Sequence, residues 1–343
     1  MERERLDRIV GRFPSCRIAV LGDFFLDKYL DVEPTLAEVS VESGKTAHQV
    51  MSIRCSAGAA GTIVNNLASL DAGEIHVFGV TGDDGEAYDL RKALDKLGCR
   101  REGLLSRADL MTPTYLKPRD RSRADLSGEH ERYDTKNHHP LPAEIEDEIL
   151  KRLESLLPRI DAVIIQDQIE EEDCGVVTTR VRDGLGEMAR RNPEKIFWAD
   201  SRCRIRLFRN IIIKVNAREA VQDVFVPGQD EGDDLRVVKA IGELRQRAGR
   251  PVFVTAGRRG IWVSDPEPSL VRGVRIPEPT DPTGAGDSVN AGGVLALCAG
   301  ADLREAALVA NLVGSITVQQ LATTGTARPD ELGPRLEMWR GQG

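Results

Sequence analysis

The residues best suited to chemistry lie in Asp281-Pro282-Thr283-Gly284-Ala285-Gly286-Asp287-Ser288. Three small residues stand between a turn and the apolar run Val289 to Ala299. A run of that kind without Pro predicts a helix packed into a core. The amides of Gly284, Ala285 and Gly286 then sit at the positive end of the helix, where N–H groups lack intrahelical acceptors and an anion can be held. A carboxylate at such a place, Asp287, has a use as the base that takes a proton from a reacting hydroxyl. Amides and carboxylate together suit phosphoryl transfer. Taken alone, the octapeptide also fits a capped turn with an acidic residue in its first helical turn.

Other candidate groups stand at the ends of apolar runs. Gly22-Asp23-Phe24-Phe25-Leu26-Asp27 follows Arg17 to Leu21. Its two carboxylates fit either a polyhydroxylated ligand or turn chemistry. Gly58-Ala59-Ala60-Gly61 opens a helical stretch and permits close backbone approach, with Asn66 one to two turns on. Asn216-Ala217-Arg218-Glu219 offers an amide and a carboxylate near a phosphate or a Mg²⁺-bound water, or else a capping box. Thr255-Ala256-Gly257-Arg258-Arg259-Gly260 leaves room for a flat nucleotide, or makes a hairpin turn. His138-His139 has no third ligand at suitable spacing and reads as a solvated loop before Pro140.

The elements that must position these groups are those of an α/β protein. Short apolar runs at 17–21, 75–80, 161–166, 195–200, 211–215 and 252–256 alternate with helical stretches at 58–70, 86–97, 143–157 and 176–191. That alternation predicts a mostly parallel sheet covered on both faces. Ile261 to Val263 and Val271 to Ile276 read as an antiparallel pair, and two helices follow, the second opened by a capping box at Asp302 to Glu305. The polar, β-rich stretches 28–56 and 112–134 do not fit that sheet and predict a small second sheet over one edge of the pocket.

Composition bounds the rest. A chain of 343 residues with 41% apolar and 30% charged residues is a soluble globular protein of one large domain, or one domain with a subdomain. A net charge of −8 argues against general nucleic-acid binding. No apolar run approaches the roughly 20 residues of a membrane span. The start, Met1-Glu2-Arg3-Glu4-Arg5, has no apolar signal core, so a cytoplasmic location is expected. The six cysteines form no Cys-x-x-Cys pair and are expected to be free thiols.

Taken in order, these motifs resemble the ribokinase-like sugar kinases, the PfkB carbohydrate kinase family, from about Ile18 to Ala327. Asp281 to Gly292 matches the family's C-terminal signature, Asn216 and Glu219 its Asn-x-x-Glu motif, and Thr255, Gly257 and Gly260 its nucleotide-side motif. The resemblance implies a ribokinase-like α/β/α sandwich, a single domain over 1–343 with lid strands within about 28–56 and 112–134. It implies transfer of the ATP γ-phosphate to a hydroxyl of a sugar or sugar phosphate. Asp287 would be the base and Gly284, Ala285 and Gly286 the anion hole. Asn216 and Glu219 would organise the phosphates, Glu219 reaching Mg²⁺ through water. Thr255, Gly257, Gly260, Asp281 and Asn311 would lie on the nucleotide side. Asp23 and Asp27 would bind sugar hydroxyls, with Gly58, Ala59, Asn66 and Asp167 nearby. ATP and Mg²⁺ are the implied cofactors, with a monovalent cation as a further candidate. The implied partners are the sugar and a second copy joined through the lid, without nucleic acid or membrane.

Within the family the heptose-7-phosphate kinase branch is the most similar in flavour. Gly22-Asp23-Phe24-Phe25-Leu26-Asp27-Lys28-Tyr29, Pro113-Thr114-Tyr115-Leu116-Lys117-Pro118-Arg119 and Arg132-Tyr133-Asp134 resemble its motifs. Lys117, Arg119 and Arg54 would then hold the far phosphate of a phosphosugar. Four departures bear on the acceptor. Gly58-Ala59 replaces the usual Gly-Gly, and Thr62 a common Asn. Gln166-Asp167-Gln168 stands where the branch shows Ser-Asp-Tyr, and Asp200-Ser201-Arg202 ends the third strand. A fused nucleotidyltransferase, seen in bifunctional members of that branch, is not expected in the remaining residues. A non-catalytic sugar or nucleotide sensor on the same fold and a nucleoside kinase are the alternatives. A dinucleotide-dependent oxidoreductase fits poorly, because Gly-x-Gly-x-x-Gly does not follow the first strand.

Overall fold

The computed structural model describes residues 1–123, 126–221, 234–264, 266–321 and 323–342. In chain order the strands are β1 (Arg17–Gly22), β2 (Phe24–Val39), β3 (Thr46–Ala59), β4 (Glu74–Gly82), β5 (Arg100–Arg107), β6 (Thr114–Asp120), β7 (Tyr133–Thr135), β8 (Ala162–Asp167), β9 (Ile196–Ser201), β10 (Ile212–Asn216), β11 (Val252–Thr255), β12 (Gly260–Ser264) and β13 (Pro268–Arg272). The helices are α1 (Arg3–Val10), α2 (Ala60–Ser69), α3 (Gly85–Lys96), α4 (Ala143–Leu156), α5 (Thr179–Arg191), α6 (Ala217–Val221), α7 (Asp234–Ala248), α8 (Ala285–Cys298), α9 (Leu303–Thr317) and α10 (Pro329–Gly341).

Among the described residues, nine strands form one sheet in the order β13-β12-β11-β10-β9-β8-β1-β4-β5, parallel except where β12 and β13 join. A strand buried on both faces has to be apolar at every position. β1 shows why: Ile18 and Val20 enter one core, and Ala19 and Leu21 the other. Helices α1, α2, α3, α8, α9 and α10 cover the first core. Helices α4, α5, α6 and α7 cover the second. The three layers and the mostly parallel sheet agree with the α/β expectation.

β3, β2, β6 and β7 form a second, smaller sheet in that order. It is mixed, since β2 pairs antiparallel with β3 but parallel with β6, and β6 antiparallel with β7. Positions 124 and 125 of the 112–134 stretch lie outside the described residues.

Several elements differ from the sequence expectation, among them the helix α7 over Asp234–Ala248. Residues 100–107 form β5, an edge strand whose charged ends flank a short Gly103-Leu104-Leu105 centre. Residues 329–341 form α10 despite Pro334 inside it. β13 starts at Pro268, ahead of the expected Val271.

The topology also locates a crevice. β1 has β4 on one side and β8 on the other, so the chain reverses direction of growth there. Ligands of open α/β sheets bind at the strand carboxyl ends at such a reversal. β2 leaves directly from that end of β1 and continues into the small sheet. No helix among the described residues is long and apolar enough to cross a membrane, and no group of three or more His, Cys, Asp or Glu among them could hold a metal ion. All six cysteines are free.

Candidate active site

The loop into α8 is tied down before the helix begins. The Asp281 amide donates to the Val318 carbonyl at 2.7 Å, and Asp281 Oδ1 accepts from the Thr283 amide at 2.9 Å. Gly284 then turns the chain at φ +73°, a left-handed conformation that favours glycine. The expected anion hole needs one correction. Ala285 donates its amide to the Pro282 carbonyl at 3.0 Å, which closes the turn and removes that donor from the cleft. The amides of Gly286 and Asp287 have no backbone acceptor among the described residues. They are the donors at the positive end of α8.

Asp287 keeps partial contact with solvent. Its carboxyl is pushed up to about 7 because the surrounding protein strips it of water and the like charge of Asp200 adds to that. Lys214 offsets part of the shift, and Asp27 adds to it again. Near neutrality the group therefore passes between acid and base, as a proton acceptor must.

Below Gly286 lies a network absent from the sequence reading. Lys214 Nζ stands 2.5 Å from Asp200 Oδ2, which also accepts from Asn290 Nδ2 at 2.8 Å. Trp198 Nε1 donates to Asn290 Oδ1 at 2.9 Å. A Cβ on Gly286 would stand 3.0 Å from Lys214 Nζ. A signal was present: Lys214 is the lone charge inside Ile211-Ile212-Ile213-Lys214-Val215, a position that burial tolerates only with a partner.

Of the candidates expected on the acceptor side, Asp27, Gly58 and Lys117 lie together. Asp27 is buried and pairs with Lys117 at 2.7 Å. Gly58 is required beside it, because a Cβ there would fall 2.4 Å from Asp27 Oδ2. Lys117 lies over the rings of Tyr29 and Tyr115, and Arg54 and Arg132 flank the same two rings. Arg119, on β6 beside Asp31 of β2, donates to the Arg123 carbonyl. Ala59 caps α2 at φ +52°, ψ −116°, a conformation costly for a residue with a Cβ. A Cβ on Gly284 would lie 3.4 Å from Thr62 Cγ2, so the starts of α2 and α8 meet.

Asp23, Asp167 and Asn66, expected on the acceptor side, hold protein partners in this structure. Asp23 accepts the amides of Gln168, Ile169 and Val176, at 2.8, 3.0 and 2.7 Å, and so clamps the loop after β8. Burial, then the neighbouring Asp167, raises its carboxyl to about 6. Asp167 is held by Arg204 at 2.7 Å and by Ser201 Oγ at 2.6 Å. Arg204 also donates to the carbonyls of Ile169 and Glu170. Asn66 is fully buried and donates to the Thr62 carbonyl of its own helix.

Among the residues expected on the nucleotide side, Asn216 and Glu219 bind each other. The Glu219 amide donates to Asn216 Oδ1 at 2.9 Å and the Asn216 amide to Glu219 Oε2 at 3.1 Å. This is the capping arrangement, and it leaves one carboxylate oxygen for a ligand. Burial raises the Glu219 carboxyl, the Asn216 amide opposes this, and Asp200 adds to it. A single carboxylate oxygen suits Mg²⁺ that keeps most of its waters and its phosphate ligands. Thr255 Oγ1 lies 3.5 Å from the Val215 carbonyl. Gly257 and Gly260 adopt φ +52° and +112°, and a Cβ on Gly260 would fall 2.2 Å from the Val271 carbonyl. Asn311 is buried and gives its amide to the carbonyls of Val271 and Arg272, so it supports the wall of β13.

This fold is that of the ribokinases. The structure of Arabidopsis thaliana ribokinase complexed with ribose and ATP superposes with a TM-score of 0.67 at 15% identity, covering 94% of this chain and 99% of that one. The chain belongs to the pfkB family of carbohydrate kinases, phosphotransferases with an alcohol acceptor: the family's profile, described as pfkB family carbohydrate kinase, matches residues 28–330. The bifunctional protein HldE of Desulfatibacillum aliphaticivorans is 29% identical over 340 residues, 96% of this chain and 65% of that protein. HldE of Aliarcobacter butzleri is 26% identical over 316 residues, 90% of this chain and 62% of that protein. The chain thus spans less than two thirds of the length of these curated relatives.

Proposed function

We propose that the protein transfers the γ-phosphate of ATP to a hydroxyl of a sugar or sugar phosphate of heptose-7-phosphate type. The observation that carries this is Asp287, a carboxylate poised near neutrality beside the free amides at the start of α8, with Asp27 of the acceptor side in its field. The acceptor oxygen attacks the γ-phosphorus while the bond to the bridging oxygen of ADP breaks. The proton of the acceptor goes to Asp287, and the amides of Gly286 and Asp287 hold the transferring group. Asp27, kept in place by Gly58, orients the acceptor hydroxyls. Glu219 would hold water-bound Mg²⁺, which supplies neutralisation of phosphate charge. Gly257 and Gly260 leave the nucleotide its room. The resemblance of the motifs at 22–29, 113–119 and 132–134 to the heptose-7-phosphate kinase branch supports a heptose phosphate as acceptor, and Lys117, Arg54 and Arg119 are the cations for its far end.

A homodimer through the lid is part of this reading. The β2–β3 ribbon exposes Val39, Val41, Met51 and Ile53, with Val41 97% exposed, an apolar surface that a second copy would cover. A cytoplasmic location fits free thiols.

The test is a coupled ADP-release screen over sugars, heptoses, their phosphates and nucleosides, in sodium and in potassium, with Asp287→Asn alongside. The variant is expected to lose about 10²–10⁴-fold in kcat. Near-wild-type turnover would sink the assignment. ATP and sugar binding by calorimetry without ADP release from any acceptor would favour a sensor.

A further inference from the structure

We propose that Lys214 is a catalytic residue of the phosphoryl transfer, its ammonium contacting the transferring group beside Gly286; this rests on the kinase reading above. The argument starts from register. Gly22 of β1 aligns with Gln166 of β8, Gln166 with Asp200 of β9, and Asp200 with Lys214 of β10. Side chains of one register row point to one face of a sheet. On β9 and β10 that face is the one packed on α8, since Trp198 and Ile212 belong to the same core.

Lys214 is buried, and among the described residues Asp200 alone accepts a hydrogen bond from it. An ammonium has three donors, so two are left beneath the amides that open α8. A buried cation built only for packing would have its remaining donors met by the protein. Here the room above Nζ exists because residue 286 is glycine. Asp200 is the positioning residue: Asn290 holds the same oxygen that holds Lys214, and Trp198 holds Asn290. As the acceptor oxygen attacks, the bridging bond breaks and the proton passes to Asp287, the free donors of Lys214 meet charge gathering on the transferring phosphate.

Lys214 then also sets the titration of Asp287. The charged groups around that carboxylate are Asp200 of β9, Arg202 just after it, Lys214 of β10 and Asp27 of β2, with the positive start of α8. Removing Lys214 and removing Asp200 must move it in opposite directions.

The experiment compares wild type, Lys214→Met, Asp200→Asn, the double variant and Asp287→Asn. Lys214→Met is expected to lose about 10²-fold or more in kcat. It should also weaken ATP binding in calorimetry. In the apo protein, the carboxyl-carbon NMR titration of Asp287 should move to higher pH in Lys214→Met and to lower pH in Asp200→Asn. The double variant removes both charges together; it is expected to melt near wild type and still lack turnover. A Lys214→Met or double variant that folds and turns over within twofold of wild type, while Asp287→Asn is inactive, overturns the inference alone. Shifts of Asp287 in the same direction in both single variants overturn it as well. Full turnover by Asp287→Asn overturns the kinase reading instead.

Discussion

At the start of α8 the groups facing the cleft are backbone amides with no backbone acceptor among the described residues, those of Gly286 and Asp287. On the small sheet, by contrast, cations already hold partners: Lys117 with Asp27, Arg54 with Asp31, Arg132 with Asp134. On the proposed reading, the phosphoryl end is preorganised by the main chain and needs no side chain to move. The acceptor end would then be made of ion pairs that exchange one partner for another when a substrate arrives. Such an end would discriminate among acceptors, because an acceptor without the matching groups leaves charges unpaired. The proposal thus makes the reaction and the choice of acceptor separable by substitution.

The largest effect outside the reacting groups is expected at the clamp under the acceptor end. The Arg204–Asp167 pair has side-chain exposures of only 13% and 1%. Arg204→Ala leaves Asp167 buried and unpaired and should cost about 3–5 kcal/mol in urea unfolding. A loss under 1 kcal/mol would mean that the loop is not pinned there. Lys117→Ala should raise KM for a phosphorylated acceptor about tenfold, equivalent to about 1.4 kcal/mol, with kcat little changed. Equal increases for the free sugar and its phosphate would show that Lys117 positions Asp27 and does not read the phosphate. The smallest effect tests the joint between the two ends. Ala59→Gly relieves the φ +52° strain and should stabilise the fold by about 1 kcal/mol, read as a higher melting temperature. A lower melting temperature would mean that the Ala59 methyl packs more favourably than its backbone is strained.

Legibility followed the same division. The turn and helix start at Gly284 to Asp287 rest on residues adjacent in sequence, so residue types and spacing sufficed to locate the carboxylate. Local rules still misjudged one atom, because the Ala285 amide closes the turn onto Pro282. Asn216 and Glu219 form the capping arrangement that their spacing allows. Asp23 could not be read the same way. Its carboxylate meets the backbone of residues 168, 169 and 176, which are distant in sequence. Asp167 finds Arg204, and Lys214 finds Asp200 on a neighbouring strand. Short-range spacing carries no information about such partners.

By itself, the sequence determined the layered α/β class, through the alternation of apolar runs and helical periods. It also placed the acidic start of α8, since helix caps and tight turns are decided by neighbouring residues. The tertiary structure alone decided which carboxylates remain available. Strand order and register bring Asp200 to Lys214 and Arg204 to Asp167, and burial then makes each pairing obligatory, because an uncompensated charge in the interior is too costly to keep.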